Sequence, residues 1–243
     1  MLLALLLTVV VGLVLGTMGS GGSIVMVPLL VYVAGLTPGD AVVVSLAVVG
    51  GTSALGAWLR HRRGRLHWRA VGFLSSTGIA GAALGAQFTH LVAPRALMLA
   101  FAALMLAVGA TMVRGRRDSG RVPSCRPLLC LSIGAVIGVL TGFLGVGGGF
   151  LIVPALIFFA GIDMPSAIGA SLAIIAINAL GGLLGHLDAA AGLWRDALLY
   201  LAVAVAGMLA GARVGLDLPE RTLQRGFGAI VLATGAAIAA RSW

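Results

Sequence analysis

The chain has 243 residues, of which 60% are hydrophobic and only 9% are charged. A soluble domain carries roughly 25% charged residues, so this composition excludes an ordinary water-soluble protein and predicts a polytopic membrane protein. The formal net charge of +9 would suggest nucleic-acid binding in a soluble protein. We expect no such binding, because the cations cluster beside apolar runs.

Ten of the sixteen cationic residues, all of them arginines, fall in two short segments between apolar runs. Such clusters are typical of cytoplasmic loops, so both segments are predicted to face the cytoplasm. They contain Arg60, Arg62, Arg63, Arg65 and Arg69, then Arg114, Arg116, Arg117, Arg121 and Arg126. Cys125 and Cys130 flank the end of the second segment. On that side thiols stay reduced, and their spacing matches no metal-binding pattern.

The first part of the chain predicts two short helices and three full spans. Residues 2–15 and 24–34 form apolar helices too short to cross the ~30 Å hydrocarbon core alone. No basic segment precedes the first of them, so we interpret it as structural and not as a signal peptide. Asp40 lies in a turn and is predicted to be the N-cap of the next helix. Full spans are predicted at residues 41–59, 70–90 and 94–113.

The second part repeats this order. A basic linker at 114–127 is followed by short helices at residues 128–141 and 150–160, a turn with Asp163 as a helix cap, and spans at 167–187, 194–215 and 221–240. We therefore divide the chain into a first transmembrane repeat, 1–113, and a second, 128–243. The expected fold class is all-α, a bundle of two homologous four-segment halves with about eight transmembrane segments.

The repeat is most evident in two glycine-rich segments. The first glycine stretch, Gly16–Pro28, recurs as the second glycine stretch, Gly142–Pro154, 126 residues later. Other residues recur at the same offset: Gly35/Gly161, Ala41/Ala167, Ser45/Ser171, Leu46/Leu172, Gly56/Gly182, Trp68/Trp194, Arg69/Arg195, Gly81/Gly207, Gly85/Gly211, Arg95/Arg221 and Phe101/Phe227. Interrupted helices at corresponding positions of two repeats indicate the binding site of a secondary transporter.

Two membrane topologies fit this pattern. If each short-helix pair forms one broken span, both halves cross the membrane in the same orientation. If each pair forms a re-entrant hairpin, the halves are inverted. Both arrangements place the arginine-rich loops inside, and they differ in whether His186–Arg195 or Asp217–Arg225 is cytoplasmic. The second segment is richer in arginine, which favours inversion.

The glycine stretches, each followed by an apolar run and a proline, resemble the TauE/SafE family of sulfite-exporter membrane proteins. Ala167–Leu172, and more loosely Ala41–Leu46, carry the same resemblance. It implies a multi-pass permease in a bacterial-type plasma (inner) membrane, with sulfite, sulfonates or related small organic anions as substrates. The first stretch departs in having Ser20 and Ser23 where the second has Val146 and Gly149. A site between the halves therefore need not be symmetric.

The glycine stretches are the candidate substrate site. A helix that begins after each interruption offers unpaired N–H groups and a partial positive charge to an anion. We favour this interpretation over close helix packing, which is the better explanation for Gly81/Gly85 and Gly207/Gly211. The predicted binding residues are Gly19, Ser20, Gly21, Gly22, Ser23, Gly145, Gly147, Gly148, Gly149, Ser45, Ser171 and Asn178.

Other polar residues receive less specific roles. Pro28 and Pro154 are predicted to fix the resumed helices. Arg213 is interpreted as a cation that reaches the membrane surface, and His186 as an interfacial residue. No catalytic residue, metal site or cofactor is predicted.

The sequence thus predicts a secondary permease for small anions, with an anion channel, or an integral-membrane enzyme or assembly partner, as alternatives. Expected partners are the lipid bilayer and a small anionic substrate. A coupling proton or cation and a homo-oligomer are compatible with the sequence.

Overall fold

A computed structural model of the chain describes residues 2–20, 22–62, 64, 68–88, 94–114, 127–144, 149–158, 161–184 and 192–241. These ranges form helices, turns and short irregular connections, and they include no strand, which confirms the all-α class. The helices are α1 Leu2–Met18, α2 Ser23–Tyr32, α3 Pro38–Arg62, α4 Trp68–Phe88, α5 Pro94–Arg114, α6 Pro127–Leu144, α7 Gly149–Phe158, α8 Met164–Leu184, α9 Trp194–Asp217 and α10 Glu220–Arg241.

Each predicted helix is present, with ends displaced by a few residues. Within the described ranges, four helices contain segments long and apolar enough to cross a membrane: Pro38–Arg62, Met164–Leu184, Trp194–Gly215 and Glu220–Ala240. By contrast, α1 has 17 residues and is about 25 Å long. It is therefore shorter than the hydrocarbon core.

Helices α3 and α8 are capped by different residue types, Thr37 and Asp163. Asp40 was predicted as an N-cap, but this is wrong, because α3 begins at Pro38 and Thr37 precedes it. The Asp40 N–H donates to Thr37 Oγ1 (3.3 Å), and that hydroxyl donates to Asp40 Oδ2 (2.7 Å), a reciprocal capping arrangement. Before α8, Asp163 Oδ2 accepts from the Ser166 N–H (3.1 Å), which confirms Asp163 as a cap.

The chain forms two compact units. Unit 1 comprises Met1–Val71 and Ile168–Asp217, and unit 2 comprises Gly72–Ala167 and Leu218–Trp243. Each unit therefore contains segments from both parts of the sequence. The division into repeats at 1–113 and 128–243 stays a prediction.

In unit 1, α1 packs along α9 through glycines. A Cβ atom on Gly207 would overlap the carbonyl of Val9, and one on Gly211 would overlap the carbonyl of Leu13. The predicted packing role of Gly207 and Gly211 is thus confirmed: backbones approach this closely only where no side chain intervenes. From Gly207 to Gly211 along α9, the contacted residue moves forward from Val9 to Leu13 along α1. The two helices are therefore parallel.

Also in unit 1, α3 packs against α8 in the opposite direction. A Cβ on Gly50 would lie 2.9 Å from Ala179 Cβ, and one on Gly56 would lie 3.0 Å from Leu172 Cδ1. As the chain advances along α3, its contacts move backwards along α8. These two helices are therefore antiparallel.

In unit 2, α5 and α10 form a second antiparallel pair. A Cβ on Gly109 would lie 2.9 Å from the Gly228 carbonyl oxygen, and one on Gly235 would lie 3.4 Å from that of Ala102. In the same unit α4 packs on α6, where a Cβ on Gly81 would lie 2.5 Å from the Ala135 carbonyl oxygen. The packing role predicted for Gly81 is confirmed, and the surroundings of Gly85 lie outside the described residues.

Candidate functional site

The chain reverses direction within the first glycine stretch. After Met18, the last residue of α1, a Cβ on Gly22 would lie 2.8 Å from Leu15 Cγ and 2.6 Å from the Val11 carbonyl oxygen. Val11 precedes Met18 by seven residues, or about 10 Å along the helix. The backbone at Gly22 has therefore folded back onto α1, and α2 does not continue α1 as a straight span.

Gly19 lies at this reversal and touches α8. Its φ of +84° is a left-handed conformation that glycine adopts without steric cost. A Cβ at this position would lie 2.8 Å from Ile168 Cγ2 and 2.9 Å from Ser171 Oγ. The structure therefore brings together Gly19 and Ser171, two predicted binding residues that are 152 positions apart in the sequence.

The serine hydroxyls near the reversal are not equivalent. Ser23 Oγ donates to the Ser20 carbonyl (2.8 Å), and Ser171 Oγ donates to the Ile168 carbonyl (2.9 Å). Ser20 is fully buried, and its Oγ has no hydrogen-bond partner among the described residues. A buried polar group left in this state costs roughly 1–3 kcal/mol, so of these three hydroxyls Ser20 has the clearest reason to meet a ligand.

Arg60 is a site residue that the sequence interpretation missed. It was assigned to a solvent-facing cytoplasmic loop, but it lies within α3 and is only 6% exposed. Its Nη2 donates to the Gly16 carbonyl (3.3 Å), at the end of α1. The available signal was its spacing: Thr52, Gly56 and Arg60 follow at intervals of four and so share one face of a helix.

The next arginine in the sequence behaves differently. Arg62 is exposed, and its guanidinium carbon lies 4.1 Å from the centre of the Trp58 ring. This is a cation–π contact at the surface. Of these two arginines, therefore, only Arg60 faces the end of α1.

Other predicted binding residues lie farther from the reversal. Ser45 is buried, but it precedes Gly56 by eleven residues, about 16 Å along α3. Gly56 is the α3 residue that meets α8 beside Ser171, through Leu172. Asn178 lies about 10 Å beyond Ser171 on α8, and its buried Oδ1 has no partner in the part of the chain that is described. The structure does not bring Ser45 or Asn178 to Gly19.

The second glycine stretch is described only in part. Gly145, Gly147 and Gly148 lie outside the described residues, as Gly21 does in the first stretch and as Cys125 and His186 do elsewhere. Gly149 begins α7. Pro28 and Pro154 each occupy the sixth position of a ten-residue helix, Pro28 exposed and Pro154 buried.

Apolar helices of spanning length, together with a helix interrupted at buried polar groups, define an integral membrane protein. A family model described as "Sulfite exporter TauE/SafE" matches residues 4–238, and the chain belongs to this family. It is 34% identical over 241 residues to a probable membrane transporter protein of Xylella fastidiosa (strain Temecula1), covering 96% of this chain and 92% of the relative.

Two further relatives have the same description. A probable membrane transporter protein of Haemophilus influenzae is 28% identical, with 95% of each chain covered. The probable membrane transporter protein YunE of Bacillus subtilis is 25% identical, with 91% of this chain and 92% of the relative covered. No solved structure matches the chain. The family and these relatives identify the protein as a membrane transporter.

Proposed function

We propose that the protein is a secondary permease of the plasma membrane for small anions, of which sulfite, sulfonates and related organic anions are the first candidates. The observation that carries the proposal is the reversal at Gly19, where the chain breaks beside Ser171 and leaves the buried Ser20 hydroxyl without a described partner. Glycine-rich backbone breaks are tolerated at membrane depth only inside protein or along a cavity. The description of the family as sulfite exporters supports the substrate class.

The start of α2 is suited to an anion. This helix begins at Ser23, directly after the break, and Gly22 provides no side-chain cap. The first N–H groups of a helix have no intrahelical partner, and the helix dipole places a partial positive charge there. An oxyanion at this end would accept hydrogen bonds from the N–H groups ahead of Val25, whose own N–H donates to the Gly22 carbonyl (3.2 Å). The interaction is worth about 0.3–1 kcal/mol at an exposed end and up to about 2 kcal/mol when partly buried.

The helix bounds support two homologous halves. The first residues of α2 and α7, Ser23 and Gly149, are 126 residues apart. The same separation relates the first residues of three further helix pairs: Pro38 and Met164, Trp68 and Trp194, and Pro94 and Glu220. Duplicated halves with interrupted helices at corresponding positions are the pattern expected of a secondary transporter.

Packing within the two units supports the same duplication. In unit 1 a Cβ on Gly12 would overlap the Ala204 carbonyl, and in unit 2 a Cβ on Gly138 would overlap the Gly78 carbonyl. Adding 126 to Gly12 gives 138, and adding 126 to Gly78 gives 204. Equivalent residues thus make equivalent contacts, and each contact joins one helix from each half.

The directions of equivalent helices favour inverted halves. Helices α3 and α8 correspond to each other in the repeat, as do α5 and α10. In parallel halves each pair would cross the membrane in the same direction, whereas in inverted halves each pair would cross in opposite directions. The glycine contacts make both pairs antiparallel. Together with the reversal at Gly19, this favours re-entrant hairpins over eight crossings.

Inverted repeats suit alternating access, in which one group of helices rocks against another around a fixed site. The anion would bind at the breaks and be released to either side in turn. A channel would instead form a continuous path across the membrane in its conducting state.

Flux measurements on the purified protein in proteoliposomes test this function. We expect saturable uptake of at least one anion from a panel of sulfite, alkane sulfonates and carboxylates, and counterflow when the vesicles are preloaded with the same anion. Linear, non-saturable flux without counterflow would favour a channel. Absence of flux for every anion on the panel would overturn the proposal.

A further inference from the structure

Four side chains form one cluster where α3 ends and α4 begins. Trp58, His61 and Arg62 are all exposed, and their spacing places them within an arc of about 100° on the α3 surface. The guanidinium carbon of Arg62 lies 4.1 Å from the centre of the Trp58 ring. Trp68, the first residue of α4, donates from Nε1 to His61 Nδ1 (3.1 Å). We call these four residues the α3–α4 cluster.

The length of α3 places this cluster at the edge of the membrane. Trp58 follows Pro38, the first residue of α3, by 20 positions, or about 30 Å along the helix axis. That distance matches the hydrocarbon thickness of about 30 Å. With the polar start of α3 at one boundary, the Trp58 ring lies at the other boundary, where tryptophan is enriched. Arg62, one turn further, reaches the depth of the lipid headgroups.

Arg62 can bind a phosphate group at that depth. It contacts the face of the Trp58 ring, and this cation–π contact occupies none of its five N–H donors in a conventional hydrogen bond. Within the described ranges no group accepts a hydrogen bond from Arg62. The sequence contains no acidic residue between Asp40 and Asp118, so no carboxylate nearby in the chain neutralises the charge. The guanidinium can therefore donate two parallel hydrogen bonds to phosphate oxygens.

His61 adds a second donor beside Arg62. Because His61 Nδ1 accepts the Trp68 N–H, the neutral imidazole carries its own proton on Nε2. The two rings also meet edge to face, with their centroids 5.3 Å apart, an arrangement that aromatic rings favour. The contact with Trp68 thus orients His61 and leaves its Nε2–H to donate outside the pair.

This combination of groups belongs to only one half of the sequence. At the offset of 126, Trp68 alone keeps its residue type, as Trp194. The other three equivalent positions hold two leucines and an aspartate, Leu184, Leu187 and Asp188. The cation and the imidazole are therefore specific to the first arginine-rich loop. That loop is predicted to face the cytoplasm, and the cytoplasmic leaflet carries anionic lipids.

We propose that the α3–α4 cluster binds the headgroup of an anionic phospholipid. Arg62 and His61 donate to the lipid phosphate, and the rings of Trp58 and Trp68 lie against the glycerol and the upper acyl chains. The bound lipid holds the start of the arginine-rich loop at the membrane surface. This inference concerns a lipid and does not depend on which anion is transported.

A purely structural role for the cluster makes a different prediction. Trp58 and Arg62 are one helical turn apart, and the bond between His61 and Trp68 joins the ends of the loop, so both contacts also stabilise the fold. In that case the loss of Arg62 would lower the melting temperature and leave lipid preference unchanged. The decisive quantity is therefore the ratio of affinities for an anionic and a zwitterionic lipid.

Native mass spectrometry of the full-length protein in detergent measures this ratio, with dioleoyl-phosphatidylglycerol and dioleoyl-phosphatidylcholine as probes. We expect the wild type to bind phosphatidylglycerol more tightly and Arg62→Gln to reduce that preference about fivefold, as for one cation at a lipid surface. Arg62→Lys should retain part of the preference, because lysine keeps the charge but lacks the planar fork. The matched control, Arg213→Gln, removes the same charge from another exposed helix position and should leave the preference unchanged.

Three results would overturn the proposal. The wild type would bind both lipids equally, Arg62→Gln would keep the wild-type preference or lose no more of it than Arg213→Gln, or millimolar inorganic phosphate would displace the lipid and reveal a site for free anions. Anion flux is not among these readouts, so the permease proposal stands or falls separately.

Quenching of tryptophan fluorescence by brominated lipids decides the question if Arg62→Gln fails to fold. In vesicles, brominated phosphatidylglycerol should quench the wild type more than brominated phosphatidylcholine does. Trp58→Phe, which keeps an aromatic ring beside Arg62, should reduce that difference, because Trp58 is one of the two reporters next to the lipid. An undiminished difference in this variant would place the anionic lipid elsewhere and overturn the proposal.

Discussion

Gly19 is held by two independent constraints. Its φ of +84° requires a left-handed backbone, and its Cα faces Ser171 and Ile168 so closely that a Cβ would lie within 3 Å of both. The first constraint concerns only the local chain, whereas the second arises from a helix about 150 residues later in the sequence. A single substitution would probe both constraints together, so a control is needed to separate them.

Gly35 provides that control. Its φ is +75°, and a Cβ there would meet nothing within 4 Å. We expect Gly35→Ala to cost about 1–2 kcal/mol, for the left-handed backbone alone. Gly19→Ala should cost more, by about 1–3 kcal/mol for the overlap, and should abolish anion flux. Thermal unfolding in detergent and proteoliposome flux measure the two effects. Equal stability of the two variants would show that the contact with Ser171 does not constrain Gly19.

Arg60 shows why the candidate site was only partly predictable. Gly19, Ser20 and Ser171 attract attention because glycines and hydroxyls are unusual inside apolar segments. An arginine at the end of an apolar run instead resembles a loop residue, and the boundary of α3 had to extend to Arg62 before Arg60 could be placed on an inner helix face. Its partner, the Gly16 carbonyl, is backbone and has no signature in the sequence.

At the scale of the elements, glycine packing joins α1 to α9. In this packing Gly211 faces the Leu13 carbonyl directly, so any side chain would push the helices apart. Helix packing in membranes relies on such close approach, because lipid provides no hydrophobic drive between helices.

Alanine substitutions test this packing. We expect Gly211→Ala to destabilise the protein by about 1–3 kcal/mol through overpacking. The matched control is Gly181→Ala in α8, where a Cβ meets nothing within 4 Å. That variant should be neutral or gain up to about 1 kcal/mol from the higher helix propensity of alanine. Fluorescence-detected thermal melts compare the two, and a stable Gly211→Ala would contradict the close packing of α1 and α9.

The helices themselves could be predicted from the sequence because apolar runs, prolines and glycines delimit them locally. The N-cap of α3 was misassigned because Thr37 and Asp40 both have capping side chains, and only the hydrogen bonds show which of them precedes the first turn. Which helices pack against each other could not be predicted from local sequence patterns. Nothing near Gly12 or Gly16 in the sequence indicates that their neighbour is α9, which begins at Trp194.

At the scale of the whole chain, inverted halves predict the side on which each loop lies. With both arginine-rich loops inside, the segment between α8 and α9 should be outside, and the segment between α9 and α10 should be inside. The end of the chain after α10 should then be outside. Parallel halves would reverse all three positions.

Reporter fusions distinguish the two topologies. Alkaline phosphatase, active only outside the cytoplasm, should be active when fused after Asp188 or after Trp243 and inactive when fused after Leu218. A fluorescent protein that matures only in the cytoplasm should give the complementary pattern. Activity of the phosphatase after Leu218 but not after Asp188 would exclude the inverted arrangement.

Unit 1 is built from two segments that are far apart in the chain, and this affects its biosynthesis. Its first three helices, α1 to α3, are made first, but α8 and α9 follow more than 100 residues later in the chain. At about 5–20 residues per second, the end of α1 waits on the order of 10–40 s for the last residues of α9. During that time the glycine face of α1 has no α9 beside it. A ribosome that stalls after α5 would therefore leave a chain whose first helices are already inserted but cannot yet assemble, which makes it a substrate for membrane quality-control proteases.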